Sequence, residues 1–125
     1  NYLVHVHNCA AAECFTLGQK AGFDPKLIYE VIKESAGASK MFDIRGKMMS
    51  ESDYREGGGT MFAVYQKDAN IITSYATEVK APIDLYVSAW QKFNSAIAQG
   101  LGHLDTSAVC KTIETAAGID RKLVE

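Results

Sequence analysis

The sequence predicts an all-α domain, a helical bundle of five to seven helices. Three observations predict it. Apolar residues recur at three- and four-residue steps through most of the chain, the period of a helix face. No stretch alternates apolar and polar residues as a half-buried strand does. Stop and start signals at Gly22, Asp24-Pro25, Gly37, Ala81-Pro82, Gly100 and Gly102 cut the pattern into helix-sized pieces. The 125 residues are 47% hydrophobic and 22% charged, which is enough apolar material for one core and excludes disorder.

Residues 2–17 are apolar or small almost all round, interrupted only by His5, His7, Asn8 and Glu13. A helix without a solvated face belongs in the middle of a core. It should end near Gly22, a natural C-terminal cap. Asp24 then serves as N-cap and Pro25 as first-turn residue of a short second helix, with Leu27, Ile28, Val31 and Ile32 as its buried stripe. Gly37 breaks that helix, and Ser39 caps a third segment over residues 40–49, whose Met41, Ile44 and Met48 point one way. Residues 51–60 are polar and carry Gly57-Gly58-Gly59, the composition of a loop. A long amphipathic helix follows on Met61, Tyr65, Ala69, Ile72, Ala76 and Val79. Ala81-Pro82 opens another, on Ile83, Tyr86, Val87, Trp90, Phe93 and Ile97, which Gly100 and Gly102 end. Asp105 or Thr106 caps a last helix through Val109, Ile113 and Ala116.

Thirteen Lys and Arg against fifteen Asp and Glu leave a net charge of −2, without the positive surplus that nucleic-acid binding draws on. No apolar run approaches the roughly 20 residues of a membrane span. Cys9, Cys14 and Cys110 are odd in number and form no CxxC or Cys/His cluster, so free thiols in a reducing cytoplasm are expected and structural zinc is not. They have no local basic partner to activate them, which makes inert core cysteines the default. The chain begins without Met inside an apolar pattern, as a piece of a longer protein would.

His5 and His7 stand two residues apart, about 200° around a helix, and cannot hold one ion from one face. A buried, hydrogen-bonded role is expected for His7 and a surface position for His103. Gly57-Gly58-Gly59-Thr60 lacks the Lys-Ser/Thr of a phosphate loop and any strand before it, so a flexible linker is the expectation. Lys67-Asp68 sits near the first turns of an amphipathic helix. The pair is either part of a solvated face, or Lys67 projects into a groove where a cation meets a carboxylate or phosphate.

Taken in order, Asn1, Leu3, Val4, His7, Ala10, Ala12, Glu13, Leu17, Ala21-Gly22 and Asp24-Pro25 resemble the start of a known domain. Ser35-Ala36-Gly37-Ala38-Ser39, Met41-Phe42, Arg45 and Asp53-Tyr54 continue the likeness. Lys67-Asp68, the Pro82 helix, Gly100-Leu101-Gly102, Asp105 and Ala108-Val109 complete it. The run is similar to the C-terminal domain of the β-hydroxyacid dehydrogenases, which include 3-hydroxyisobutyrate dehydrogenase and tartronate semialdehyde reductase, and most similar to their L-threonate dehydrogenase branch.

The resemblance implies an NAD- or NADP-linked oxidoreductase of small β-hydroxy acids, of which residues 1–125 are the single all-helical domain. A Rossmann domain, absent from this chain, would bind most of the cofactor. The family's catalytic lysine lies four residues before an asparagine, one helical turn away. Asn1 matches that asparagine, which hydrogen-bonds the substrate, so the lysine falls ahead of the residues here and the chain by itself should be inactive. Lys67 matches the lysine of a Lys-Asp motif lining the cleft near cofactor and substrate. Departures fall at Lys40, where the family often has an aromatic residue, at Arg55-Glu56 and the glycines, and at Ala63-Val64-Tyr65-Gln66. A homodimer through helices is expected. The competing reading is a non-catalytic helical interaction module. 6-Phosphogluconate dehydrogenase shares the broad architecture but needs a much larger helical domain.

Overall fold

In a computed structural model, which describes residues 1–55 and 62–125 (the side chains of 62–64 excepted), the chain folds into helices, with no β-strand among the described residues. The helices are α1 (Tyr2–Lys20), α2 (Pro25–Ile32), α3 (Lys47–Glu51), α4 (Phe62–Val79), α5 (Asp84–Ala98) and α6 (Val109–Ala116). A π-turn, Phe42–Gly46, leads into α3, and a 3-10 turn, Thr106–Ala108, leads into α6. The Gly57-Gly58-Gly59-Thr60 segment and Met61 lie outside the described residues.

α1 is the axis of the domain. It packs against α5, α6, α2, α3 and both turns, and its Cys9, Ala11, Ala12 and Phe15 enter a single core with Phe42, Met49, Tyr54, Tyr65, Tyr86, Phe93 and Val109. It is not wrapped all round, however: Leu3 is 60% and Leu17 73% exposed. The helix ends as expected, at Lys20, because Gly22 adopts φ +92°, a left-handed conformation that costs a glycine little. Gly18 matters for a different reason. A Cβ there would overlap Cδ1 of Ile28, so its absence lets α2 seat its one buried side chain against α1.

Asp24 caps α2 by accepting a hydrogen bond from the Lys26 amide at 2.7 Å, with Pro25 in the first turn. Replacing Asp24 with Ala should cost about 1 kcal/mol, read as a lower urea midpoint at unchanged m-value. The expected stripe on this helix needs correction. Only Ile28 is buried, while Leu27 is 52% and Val31 62% exposed on a face that nothing in the described residues covers.

Ser39 caps the next segment through a hydrogen bond from the Phe42 amide to its Oγ at 2.9 Å. The expected face of Met41, Ile44 and Met48 is displaced by one residue, so that Phe42, Arg45 and Met49 are buried and Ile44 is 52% exposed. The π-turn widens the helix here, and Arg45 is tolerated inside because Asp105 accepts from its Nε at 3.1 Å. Phe42 stacks between Phe15 and Tyr29.

On α4 the predicted stripe holds at Tyr65, Ala69 and Ala76, with Val79 half exposed. On α5 it holds at Tyr86 and Phe93, which are buried with Ala89 and Ala96, while Val87 is 40% exposed. Of the two expected caps, Asp105 is the one used, accepting from the Ser107 amide at 2.8 Å, and it caps the 3-10 turn that leads into the last helix.

Candidate functional site

Two sequence-distant polar groups meet where α1 begins. Asn1 donates from Nδ2 to Oδ2 of Asp68 on α4 at 2.9 Å, across 67 residues of sequence. One turn further along α1, His5 lies edge-on to Tyr65, which precedes Asp68 by three residues on the same face of α4. Asn1 to Asp68 and His5 to Tyr65 are therefore two rungs between the same pair of helices.

A cluster of rings backs these rungs. His5 is 3% exposed and its Nδ1 shares a 2.8 Å hydrogen bond with the hydroxyl of Tyr86 on α5. Tyr65 and Phe93 stand with centroids 4.1 Å apart, and Tyr2 stacks on Tyr86 at 5.1 Å. Burial disfavours charge throughout the cluster. It lowers His5 from the ordinary histidine value of 6.5 to about 4, against the opposing pull of Asp68, and pushes the Tyr86 hydroxyl up to about 12. The histidine here is thus a neutral, hydrogen-bonded core group with Asp68 in its electrostatic neighbourhood.

Lys67 is exposed on α4, adjacent in sequence to the half-buried Asp68. Of the two residues singled out from the sequence, Asn1 is bonded to Asp68, and Lys67 is the residue before Asp68 on α4, about 100° around the helix from it. An exposed ammonium beside a polar pair can meet a carboxylate or a phosphate.

The histidine expectation is corrected. His5, and not His7, is the buried, hydrogen-bonded one, because His5 faces α4 and α5 while His7 faces the turn after α2. There His7 is half-buried and lines a cavity of about 420 Å³ with Cys14, Ser35, Ser39 and Phe42. His103 is exposed, its Nδ1 3.1 Å from the Gly100 carbonyl. Cys9 and Cys110 are buried and their thiols are pushed up to about 12 by burial, and half-buried Cys14 is raised for the same reason. None is poised as a nucleophile. Among the described residues no three His, Cys, Asp or Glu side chains are grouped to hold a metal ion.

Sequence reasoning did not find Asp68 as the partner of Asn1, nor the His5–Tyr86 pair. The local signal for Asp68 was its place one turn after Tyr65 on an amphipathic helix. Tyr86 was read only as a member of an apolar stripe, and nothing local could pair it with a residue 81 positions away.

The family model described as "NAD-binding of NADP-dependent 3-hydroxyisobutyrate dehydrogenase" matches residues 1–113. The chain is 38% identical over 109 residues to an L-threonate dehydrogenase of Cupriavidus necator, covering 87% of this chain and 36% of that protein. It is 29% identical to the mitochondrial 3-hydroxyisobutyrate dehydrogenase of Bos taurus, covering 87% of this chain and 34% of that one. Among solved structures, a 3-hydroxyisobutyrate dehydrogenase from Salmonella typhimurium superposes with a TM-score of 0.82 at 33% identity, over 88% of this chain and 38% of that one. The chain spans about a third of the length of the curated relatives it matches.

Proposed function

The chain belongs to the 3-hydroxyisobutyrate dehydrogenase family, and on that premise we propose that it is the all-helical C-terminal domain of an NAD(P)-dependent oxidoreductase that oxidises small β-hydroxy acids or reduces the matching semialdehydes. Its role is to form one wall of the substrate cleft and to supply a helical dimer surface. The observation that supports this reading is the hydrogen bond from Asn1 to Asp68, because the resemblance gives Asn1 a substrate-binding role and puts Asp68 in a motif that lines the cleft.

A nicotinamide held by a separate Rossmann domain supplies the hydride chemistry when bound. The residues of this chain bind and orient. Asn1 hydrogen-bonds the substrate, and Lys67 meets a carboxylate of the substrate or a phosphate of the cofactor. Fixing the hydroxy acid in register supplies much of the rate, since a misplaced C–OH group meets neither the hydride acceptor nor the proton-transfer lysine. The rings behind Asn1 and Asp68 serve this by excluding water from one side of the pair.

The homodimer draws support from apolar side chains left uncovered. Leu17, Phe23, Leu27 and Val31 surround a groove of about 400 Å³ between α1 and α2, and Ile71, Tyr75 and Val79 lie exposed along α4. Such surfaces are the ones a partner covers. No helix among the described residues is long and apolar enough to cross a membrane, and the enzyme we propose works in the cytoplasm, where three free thiols persist.

The test is turnover by the full-length protein with L-threonate and 3-hydroxyisobutyrate, each with NAD and with NADP, followed by reduced-nicotinamide absorbance. Turnover of at least one pair is expected, and Asn1→Ala should lower kcat/KM by roughly ten- to a hundredfold, the worth of a hydrogen bond to a charged or reacting group. Residues 1–125 alone should show none. Turnover by the isolated domain would overturn the reading.

A further inference from the structure

The Asn1–Asp68 bond is made in partial exposure, where a side-chain pair contributes little to stability. Yet its geometry is held from behind. Tyr65, one turn before Asp68, is fully buried against His5 and Phe93, and His5 is tied to Tyr86. The ring cluster therefore fixes where Asp68 stands relative to Asn1. A carboxamide has two unlike ends, a donor NH2 and an acceptor carbonyl, whereas an ionised carboxylate only accepts. Facing Asp68, the Asn1 side chain must turn its Nδ2 inward and leave Oδ1 on the opposite side.

From this we infer that Asp68 is a positioning residue: it sets the orientation of the Asn1 carboxamide so that Oδ1 is presented to the cleft as a hydrogen-bond acceptor for a hydroxyl of the substrate. The inference rests on the reading of Asn1 as a substrate-binding residue and adds the direction of its hydrogen bond. An acceptor in this place favours a group that brings a proton, the hydroxyl of a hydroxy acid, over its carboxylate, which has none to give. Without Asp68 nothing opposes the reverse orientation of the carboxamide, and wherever the NH2 is turned outward it offers the hydroxyl no acceptor.

A double-mutant cycle in the full-length enzyme tests this, using Asp68→Asn, Asn1→Ala and the pair together, with kcat and KM for the best hydroxy acid and the melting temperature of each variant. Asp68→Asn keeps the shape and removes the obligate acceptor. It is expected to lower kcat/KM about tenfold while leaving the melting temperature within about 2 °C. In the Asn1→Ala background the same substitution should have less than a twofold further effect, because its target is gone. Independent effects that multiply would overturn the positioning role and assign Asp68 its own contact with substrate or cofactor. A fall in melting temperature that accounts for the lost activity would overturn it in favour of a structural role. If the unmodified enzyme turns over no hydroxy acid, the dehydrogenase reading falls and takes this role with it, an outcome told apart from the others by the first measurement alone.

Discussion

Arg121→Ala should destabilise the domain by about 3–5 kcal/mol, a loss of on the order of 10 °C in melting temperature. The reason lies with Glu114, whose side chain is wholly buried. Its Oε1 accepts from Arg121 Nε at 2.9 Å and from Nη2, and from Gln19 Nε2 on α1 at 2.7 Å. The guanidinium also donates from Nη1 to the Ser50 carbonyl at 3.2 Å and from Nη2 to the Met49 carbonyl at 2.6 Å. One planar fork thus neutralises a buried carboxylate and satisfies the carbonyls at the end of α3. Truncating it strands a carboxylate in the core with neutral donors alone, the Gln19 amide and the Cys110 thiol at 3.7 Å, and desolvation then dominates.

Arg121→Lys should recover only part of the loss, since a single ammonium cannot span the carboxylate and two carbonyls. Glu114→Leu combined with Arg121→Met should be milder than Arg121→Ala alone, because the charge that needed a partner is gone. Urea unfolding followed by circular dichroism reads all three, and an Arg121→Ala midpoint equal to the parent's would refute the account. The family model matches residues 1–113, and Glu114 and Arg121 lie just beyond them. Their clamp holds the C-terminal segment down beside Ser52, whose carbonyl accepts from the Val124 amide at 3.1 Å.

The clamp also shows where sequence reasoning stops. Helix caps at Asp24, Ser39 and Asp105 were legible because a cap is decided within three residues. Helical faces were legible where one side is apolar and the other is not, as on α4. They were not legible on α1, whose residues are apolar almost all round, so periodicity could not choose between His5 and His7. On α2 the apolar pattern was read correctly but its burial was not, since Leu27 and Val31 face away from the rest of the described chain. A stripe records which face avoids water, not what covers it. In the segment after Ser39 the π-turn changed the register and moved burial from Met41 and Ile44 to Phe42 and Arg45. The site divided along the same line. Asn1 and Lys67 came from an ordered resemblance, while Asp68 and Tyr86 gain their roles from contacts across 67 and 81 residues that no local pattern encodes.

His5 makes the last prediction, an acid-dependent loss of stability of about 3 kcal/mol traceable to one residue. Burial holds its folded-state pKa near 4, below the 6.5 of an exposed histidine. Between those values the unfolded chain binds a proton that the folded chain does not, so unfolding is favoured as pH falls. The contribution is whole above about pH 6.5, declines through the window, and is lost near pH 4, where the folded imidazole also protonates. Carboxylates titrate over the lower part of the same range, so the test is a difference. His5→Phe keeps a ring among Tyr65, Phe93 and Tyr86 but cannot titrate. It should be the less stable protein at pH 7, where the Tyr86 hydroxyl has lost its partner, and the gap should narrow or reverse by pH 4.5. Parallel stability profiles for the two proteins would show that His5 charges freely in the fold. The cost of keeping an imidazole here is acid sensitivity; what it supplies is a polar partner for Tyr86 within the ring cluster that sets Asp68 against Asn1.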